Sequence, residues 1–293
     1  MRRATLVFPA SGRLGNQLFQ YSAVRSFMTD RQRLVLVDFD DLDAVFNGMR
    51  AELRSSSRMR DRIRLSVVHR ARHLIGSPLG RVAADGTEQL PVWVEAGSVA
   101  TVRGYFQRDH PGHDQHVGAL RFRPEIAAAA DAFLAQQVPD RSGGPVAFVH
   151  VRRGDYLTAS VGMKGDGLSW VEGGPTVALP ADWYRAQMDE LRGRLPGVRF
   201  LLIGDDPVWA VEQLAGPDTV VSDQPPGVDL ALLARCDAGI LSASSFAWWG
   251  AWFARRDQGG GPFLAPLYWL GHSAGGWWPA RTETAWMEYR AVG

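Results

Sequence analysis

The sequence predicts an α/β protein built on parallel β-sheets. Short apolar runs typical of buried strands alternate along the chain with longer stretches that have a helical pattern. This alternation is typical of parallel sheets covered by helices. With 293 residues, the chain is long enough for two ordinary domains or one large one.

The first half contains fewer clear elements than the second. Apolar runs predict strands at residues 5–9, 34–38 and 102–107, and helical patterns occur at residues 16–30 and 124–138. The second helix begins with Pro124, whose missing N–H costs nothing in a first helical turn. Residues 44–100 are rich in Arg and Ser and lack a strong periodicity, so the pattern predicts no definite element there.

Residues 141–145 (RSGGP) form the best candidate linker. We therefore predict an N-terminal α/β domain at residues 1–140 and a C-terminal domain at residues 141–293. In the second, strands at 146–151, 198–203, 219–222, 238–241 and 262–265 alternate with helices at 181–194, 207–214, 228–235 and 245–255. This regular series predicts a Rossmann-like domain with its ligand at the carboxyl ends of the strands.

Composition excludes several classes of protein. The formal net charge of +1 gives no overall field that would attract nucleic acid. Cys236 is the only cysteine, so no disulfide forms within the chain, and we expect it to be a buried structural thiol. No apolar stretch reaches the length of about 18 residues that a membrane span needs. The N-terminal apolar run is short and is followed by Gly12 and Arg13, so we read it as a strand, not a signal peptide, and expect a cytoplasmic protein.

A run of arginines in the poorly periodic region suggests one membrane hypothesis. Arg50, Arg54, Arg58 and Arg62 are spaced four apart and share one face if the segment is helical. A basic amphipathic helix within residues 50–72 would contact the anionic inner face of a membrane. The favoured alternative is a solvated helix face or a loop.

The first candidate site is the segment of residues 12–17 (GRLGNQ), which follows the first strand and opens a helix. Gly12 and Gly15 would let the backbone approach a ligand closely, and the helix start offers N–H groups. The segment lacks the G-x-G pair of a dinucleotide site. Asp38 nevertheless lies where a ribose-binding acid would, so a nicotinamide-dependent oxidoreductase remains an alternative.

The second candidate site is the segment of residues 150–156 (HVRRGDY), at the end of a predicted strand. Adjacent arginines point in different directions, so one can grip a diphosphate while the other pairs with Asp155. We favour phosphate binding for Arg152. For Arg153, a structural ion pair and a binding role are equally supported. His150 lies in the strand itself, where a core histidine with a satisfied ring is the favoured interpretation.

Two further strand ends carry polar residues. Asp205 and Asp206 precede Pro207; we expect Asp206 to cap the helix that follows, while the other acid is free for a guanine edge or a ribose. Ser244 and Ser245 follow another strand and begin an apolar helix. One of them is the predicted N-cap, and a capped helix start of this kind also binds anions.

Metal chemistry finds little support in the sequence. Asp38 and Asp40 form a D-x-D pattern, but further acids extend it into what reads as a polar turn. No His/Cys cluster has the spacing of a zinc site. The chain contains 11 tryptophans, which would suit a glycan-binding module, but Trp248, Trp249 and Trp252 have the spacing of helical core residues.

Taken together, these motifs resemble the α-1,2-fucosyltransferases of glycosyltransferase family 11. The resemblance rests on residues 12–21 (GRLGNQLFQY), 104–107 (GYFQ), 150–157 (HVRRGDYL), the strand ending in Asp205-Asp206, and 229–252 (DLALLARCDAGILSASSFAWWGAW). It runs from about residue 8 to about residue 270. The family resemblance implies a GT-B fold, in which two Rossmann-like domains face a cleft and the C-terminal one binds the nucleotide.

The resemblance also implies roles for the matching residues. Arg152 would bind the β-phosphate and stabilise the departing GDP. Arg153 and Asp155 would hold the loop, with Asp155 also a candidate base, and Ser244 and Ser245 would contact phosphate.

The remaining matches concern the nucleoside and the sugar. Asp205 is implied as a nucleoside contact, and His150 matches a histidine beside the nucleotide. Gly15 and Asn16 would lie near the donor, with Asn16 close to the transferred sugar. Many relatives have Ser where this chain has Gly204, and residues 44–100 match poorly, so we expect that region to shape the acceptor pocket.

The implied reaction is an inverting transfer of L-fucose from GDP-β-L-fucose to an acceptor glycan, with a galactose residue of a bacterial surface glycan as the expected acceptor. We expect no metal and no other cofactor, because Arg152 and a helix start would stabilise the leaving diphosphate instead. The alternative within the same class is a transferase that uses another GDP-sugar.

Overall fold

The computed structural model describes residues 3–51, 53–55, 99–102, 104–139 and 143–293. It contains two compact units. Unit 1 comprises Met1–Phe106 and His110–Arg123, and unit 2 comprises Gln107–Asp109 and Pro124–Gly293. Of the segment for which membrane contact was hypothesised, all but residues 50, 51 and 53–55 lies outside the described residues.

Unit 1 is built on a four-stranded parallel sheet with the order β4-β2-β1-β5. Its strands are β1 (Ala4–Pro9), β2 (Gln32–Val37), β4 (Leu53–Ser55) and β5 (Val99–Thr101), and β3 (Phe46–Asn47) pairs separately with β6 (Arg121–Phe122). Its helices are α1 (Leu14–Phe27), α2 (Asp40–Val45) and α3 (Gly112–His116). The strand predicted at residues 102–107 is replaced by β5, because Gly104 and Phe106 have φ angles of 151° and 55° that do not continue a strand.

Unit 2 is built on a six-stranded sheet in which every neighbouring pair is parallel. Its strands are β7 (Val146–Val151), β10 (Arg199–Gly204), β11 (Thr219–Val221), β12 (Ala238–Ile240), β13 (Phe263–Pro266) and β14 (Glu288–Arg290). The spatial order is β11-β10-β7-β12-β13-β14, the 3-2-1-4-5-6 order of a dinucleotide-binding Rossmann sheet. This confirms the predicted Rossmann-like domain. The order reverses between β7 and β12, and sheets of this type bind ligands outside the carboxyl ends of the strands at that point.

Five helices of unit 2 connect or cover these strands. They are α4 (Pro124–Gln137), α5 (Ala181–Arg194), α6 (Pro207–Leu214), α7 (Pro226–Leu233) and α8 (Ser245–Gln258). An antiparallel hairpin of β8 (Ser160–Lys164) and β9 (Gly167–Val171) interrupts the alternation. The sequence placed the domain boundary at residues 140 and 141, whereas the compact units divide before Pro124, because α4 packs against α7.

The core of unit 2 explains its apolar sequence. All six residues of β7 are buried, since helices cover both faces of a parallel sheet. Trp248, Trp249 and Trp252 are at most 4% exposed, which confirms that they fill the core, and Cys236 is a buried thiol as predicted. Among the described residues, no helix combines the length and the apolar character that crossing a bilayer requires.

Gly204 ends β10 directly beside the last residue of β7, with which it is in register. A Cβ atom at this position would lie 2.0 Å from the carbonyl oxygen of Val151, which is backbone and has little room to move. The structure therefore gives a packing reason for glycine here.

We expect Gly204→Ser to destabilise the protein by about 1–3 kcal/mol, because the two strands must separate to admit the side chain. At about 2–4 °C per kcal/mol for a chain of this size class, the loss is readable in a thermal melt. Gly193→Ser is the matched control, since nothing lies within 4 Å of an added Cβ there. Equal melting temperatures for the two variants would contradict this account.

Candidate functional site

Arg152 is the first residue beyond β7, and two carboxylates hold its guanidinium. Its Nη1 lies 2.8 Å from Oδ2 of Asp205, and its Nη2 donates a hydrogen bond of 2.5 Å to Oδ1 of Asp155. The arginine side chain is 19% exposed and also lies over the ring of Tyr156, 5.5 Å from its centroid. A guanidinium has five N–H donors, so two carboxylates do not exhaust its capacity to bind an anion.

Arg153 points away from Arg152 and is held by different groups. Its Nε donates to Oδ2 of Asp206 at 3.1 Å, and its guanidinium stacks on the ring of Trp209 at 4.2 Å. Its backbone N–H donates to Oδ1 of Asp205 at 2.7 Å. The expected arginine–aspartate pair therefore exists for both arginines, but Asp155 pairs with Arg152 and not with Arg153.

The carboxylate of Asp205 joins two strand ends. One of its oxygens accepts from the backbone of Arg153 and the other faces the guanidinium of Arg152. Gly154 makes this approach feasible, because a Cβ there would lie 2.7 Å from Oδ2 of Asp205. Asp206, its neighbour, accepts from the backbone N–H of Trp209 at 3.1 Å and caps α6, which confirms the predicted cap.

His150 is buried beneath this loop and joins β7 to the segment after β12. Its Nδ1 is 2.7 Å from the hydroxyl of Ser242, and its ring lies 5.6 Å from that of Phe246. Burial, together with the positive charge of Arg152, lowers the pKa of His150 to about 3. The imidazole is therefore neutral at physiological pH, and its contact with Ser242 links β7 to the segment after β12.

Tyr156 ties the arginine loop to the same segment from the other side. Its hydroxyl donates to the carbonyl oxygen of Ala243 at 2.8 Å. Burial raises the pKa of this phenol above its ordinary value, so it stays a hydrogen-bond donor. With the contact between His150 and Ser242, this bond holds the loops after β7 and β12 side by side at the point where the strand order reverses.

Ser244 is the N-cap of α8, as the sequence predicted for this pair of serines. Its Oγ accepts from the backbone N–H of Phe246 at 3.3 Å, and its own side chain is only 8% exposed. Ser245, the first helical residue, is half-buried. The first-turn N–H groups of a helix point beyond its start and carry a partial positive charge, so this end of α8 favours an anion.

The predicted residues Gly15 and Asn16 belong to unit 1. Helix α1 begins at Leu14, so both lie in its first turn, where backbone N–H groups have no partner within the helix. Gly12 precedes the helix with φ of 78°, and a Cβ on it would lie 2.2 Å from Nδ2 of Asn16. Gln17 braces this turn by accepting from the backbone N–H of Leu42 at 2.9 Å.

Within the residues that the structure describes, no three His, Cys, Asp or Glu side chains come together as a potential metal site. Asp38 follows β2 with a left-handed φ of 60°, and Asp40 begins α2. The D-x-D pattern therefore spans the end of a strand and the start of a helix. A reaction without metal remains a prediction.

Asp229 is a buried carboxyl group that the sequence reasoning passed over, although it begins one of the quoted motifs. It lies in α7, is 8% exposed, and accepts a hydrogen bond of 2.6 Å from the hydroxyl of Ser222, directly after β11. Burial raises its pKa to about 7. An acid inside an apolar helical run (VDLALL) was the signal that could have identified it.

The other contacts missed from sequence are long-range ones. Tyr156, Ser242 and Trp209 were not selected, because nothing in the local pattern relates a phenol to a distant carbonyl or an indole to an arginine in another loop. Their one common signal is position, since each lies within a few residues of a strand end.

We expect the stability contribution of Asp229 to decrease as pH rises. Its folded pKa of about 7 exceeds the ordinary value of 3.8, so the folded protein binds more protons between these values and loses this stabilisation as pH passes 7. The melting temperature of Asp229→Asn minus that of the wild type should therefore be higher at pH 8 than at pH 5. His150 is present in both proteins, so its titration cancels in the comparison.

Asp166→Asn is the control, because Asp166 is exposed in the turn between β8 and β9 and is not among the groups that shift the pKa of Asp229. The melting temperature of this control minus that of the wild type should be nearly independent of pH. If Asp229→Asn behaved like this control, the carboxyl group would not titrate as its burial requires.

Comparisons with known proteins indicate a similarity to glycosyltransferases. Residues 120–260 match the model of Glycosyl transferase family 11. The Alpha-1,2-colitosyltransferase of Escherichia coli is 29% identical over 128 residues, covering 42% of this chain and 40% of that protein. The mouse Galactoside 2-alpha-L-fucosyltransferase Sec1 is 22% identical over 273 residues, covering 87% of this chain and 66% of that protein. The chain therefore spans only part of the length of these relatives.

A solved structure shares the fold. The alpha-1,6-fucosyltransferase NodZ, a protein from Bradyrhizobium that has been crystallised with GDP, superposes with a TM-score of 0.56. The match covers 86% of this chain and 92% of that one at 15% sequence identity, and it supports the predicted GT-B class. Through residues 120–260, the chain is similar to glycosyltransferase family 11.

Proposed function

We propose that this protein is a fucosyltransferase that moves L-fucose from GDP-β-L-fucose to a hydroxyl group of an acceptor glycan. The α-1,2 linkage and a galactose acceptor are the finer parts of the proposal, and the α-1,2-specific names of the family relatives support the linkage. The observation that carries the proposal is that Arg152 and the capped start of α8 follow the neighbouring strands β7 and β12, where the strand order reverses. A diphosphate is the ligand that suits a guanidinium beside a helix N-terminus.

The donor would bind with its diphosphate between Arg152 and the Ser244–Ser245 turn. Glycosyl transfer leaves negative charge on the departing diphosphate, and groups already oriented toward that charge lower the barrier without reorganising. Asp205 supplies this orientation, because it faces Arg152 and is itself held by a backbone N–H. Each oxygen of Asp205 has one such partner and a second lone pair, so the same carboxylate can position Arg152 and also accept a hydrogen bond from the nucleoside.

Asp155 is the partner of Arg152 that a phosphate would replace. Its side chain is 66% exposed, whereas that of Asp205 is 23% exposed. Exposed ion pairs contribute little net free energy, so a charged diphosphate can take over this side of the guanidinium at small cost. The displaced carboxylate would then be available as a proton acceptor for the acceptor hydroxyl.

Inversion follows if the acceptor attacks from the side opposite the leaving GDP, which converts a β-linked donor into an α-linked product. Either Asp155 or, late in the reaction, the leaving phosphate would take the hydroxyl proton. Arg153, stacked on Trp209, fixes the loop on the side away from the phosphates. We propose that the reaction needs no metal and takes place in the cytoplasm of a bacterial cell.

A donor that carries colitose on GDP is the second candidate. A specific observation favours it, namely the similarity to the colitosyltransferase of Escherichia coli. Both candidates place GDP on the same residues and differ only in the transferred sugar.

GDP and GDP-fucose should raise the melting temperature of the purified protein, while UDP, ADP and NAD should not. A ligand present at about one hundred times its Kd stabilises the folded state by about 2.7 kcal/mol, which a thermal-shift panel resolves easily. Stabilisation by NAD without any response to GDP would contradict this proposal and support the alternative of a nicotinamide-dependent oxidoreductase. A lack of response to guanine nucleotides would also contradict the proposal.

Arg152→Lys should reduce turnover about a hundredfold or more, because an ammonium group cannot reproduce the fork of donors that grips a phosphate. Turnover is measured as the release of GDP from GDP-fucose in the presence of lactose. The same assay of the wild type with EDTA added tests whether the reaction needs a metal. Arg185→Lys is the control, since Arg185 pairs with Asp182 on the exposed face of α5. Near-normal turnover of Arg152→Lys would exclude the assigned role, and loss of activity in EDTA would exclude the metal-independent mechanism.

A further inference from the structure

The hairpin of β8 and β9 presents large apolar side chains to solvent. Trp170 is 45% exposed and Met163 is 67% exposed. The strand register pairs Val161 with Trp170 and Met163 with Leu168, so these four side chains share one face of the hairpin. An exposed indole beside an exposed thioether on one sheet face is more typical of a binding surface than a single exposed side chain is.

This hairpin continues directly from the arginine loop. Its first strand begins three residues after the short helix Gly154–Leu157. The backbone N–H of Ala159 donates to the carbonyl oxygen of Asp155 at 3.1 Å, and that of Val177 donates to Ala159 at 2.9 Å. The segments that flank the hairpin are thereby hydrogen-bonded to each other and to the loop that carries Arg152.

A second tryptophan meets Trp170 from a different loop. Trp278 lies in the segment that follows β13, and its ring stands edge-on to that of Trp170, with centroids 4.5 Å apart and planes at 74°. Because β7 and β13 are parallel strands of one sheet, the segments after them leave from the same edge. Trp278 is anchored through its carbonyl oxygen, which accepts from Leu270 at 3.2 Å, and its N–H, which donates to Tyr268.

The chemistry of this surface suits a sugar ring. A pyranose has a C–H face that packs on an indole and hydroxyl groups at its edge that need polar partners. Here the exposed ring is fixed by a neighbouring aromatic side chain, so little conformational entropy is lost when a ligand stacks on it. Glu172, two residues beyond Trp170, is exposed and carries a carboxylate that accepts hydrogen bonds.

We infer that Trp170, supported by Trp278, forms the subsite that binds the acceptor sugar. The inference rests on the proposed function, because it assigns the second substrate of the same transfer reaction. It commits to a carbohydrate as the occupant of the hairpin face. It also places the acceptor subsite in unit 2, whereas the sequence led us to expect that residues 44–100 shape the acceptor pocket.

The test compares Trp170→Ala, Trp170→Phe and the control Val211→Ala, whose side chain is 48% exposed on α6. With GDP-fucose as donor and lactose as acceptor, Trp170→Ala should raise the KM for lactose about tenfold, the loss expected for one aromatic stacking contact. Trp170→Phe should recover much of this loss because it retains an aromatic face. The KM for GDP-fucose and the slow hydrolysis of the donor without lactose should be unchanged in all three variants.

Other outcomes separate this inference from the proposed function. If Trp170→Ala kept the wild-type KM for lactose, the subsite would lie elsewhere while the transferase assignment stood. If the wild-type protein released no GDP from its donor, the proposed function would fail, and a fluorescence titration with lactose would then test the subsite alone. If lactose caused no change in the tryptophan emission of the wild type, the inference would be overturned. A change of oligomeric state in Trp170→Ala would also overturn it, because the hairpin face would then bind a second copy of the chain.

Discussion

The carboxylate of Asp205 joins the end of β10 to the end of β7 and holds Arg152 where a Rossmann sheet binds its ligand. One oxygen accepts from a backbone N–H and the other faces a guanidinium, so the carboxylate fixes both the loop and its charged side chain. The position depends on two glycines. Gly204 lets the strands pair closely up to their last residue, and Gly154 leaves room for the carboxylate.

A second layer of contacts keeps this arrangement rigid. His150 lies in β7 and contacts Ser242, and Tyr156 lies in the loop after β7 and donates to the carbonyl oxygen of Ala243. Both residues are therefore attached to the segment after β12. Burial keeps the imidazole neutral and the phenol protonated, so both remain hydrogen-bonding groups. The charged groups at the strand ends therefore pack on uncharged ones, which avoids placing an unpaired charge in the core.

The same sheet edge accounts for both proposed substrates. Loops after β7 and β12 carry the groups proposed to bind phosphate, while the hairpin after β7 and the segment after β13 carry Trp170 and Trp278. Parallel strands direct all these loops to one edge. A diphosphate site and an aromatic surface can thus lie at one sheet edge although their residues are distributed along the chain from Arg152 to Trp278.

By itself, the sequence determined those features whose physical cause is local. The alternation of apolar strands and helices predicted the Rossmann-like unit, and the short polar residues before α6 and α8 predicted their caps, because a cap is made within three residues. Tertiary structure alone decided which acid each arginine binds, since Arg152 and Arg153 are adjacent in sequence and differ only in direction. It also decided the placement of α4 in unit 2 and the meeting of Trp170 with Trp278. These contacts depend on how distant segments pack, and no periodicity or spacing along the chain records that.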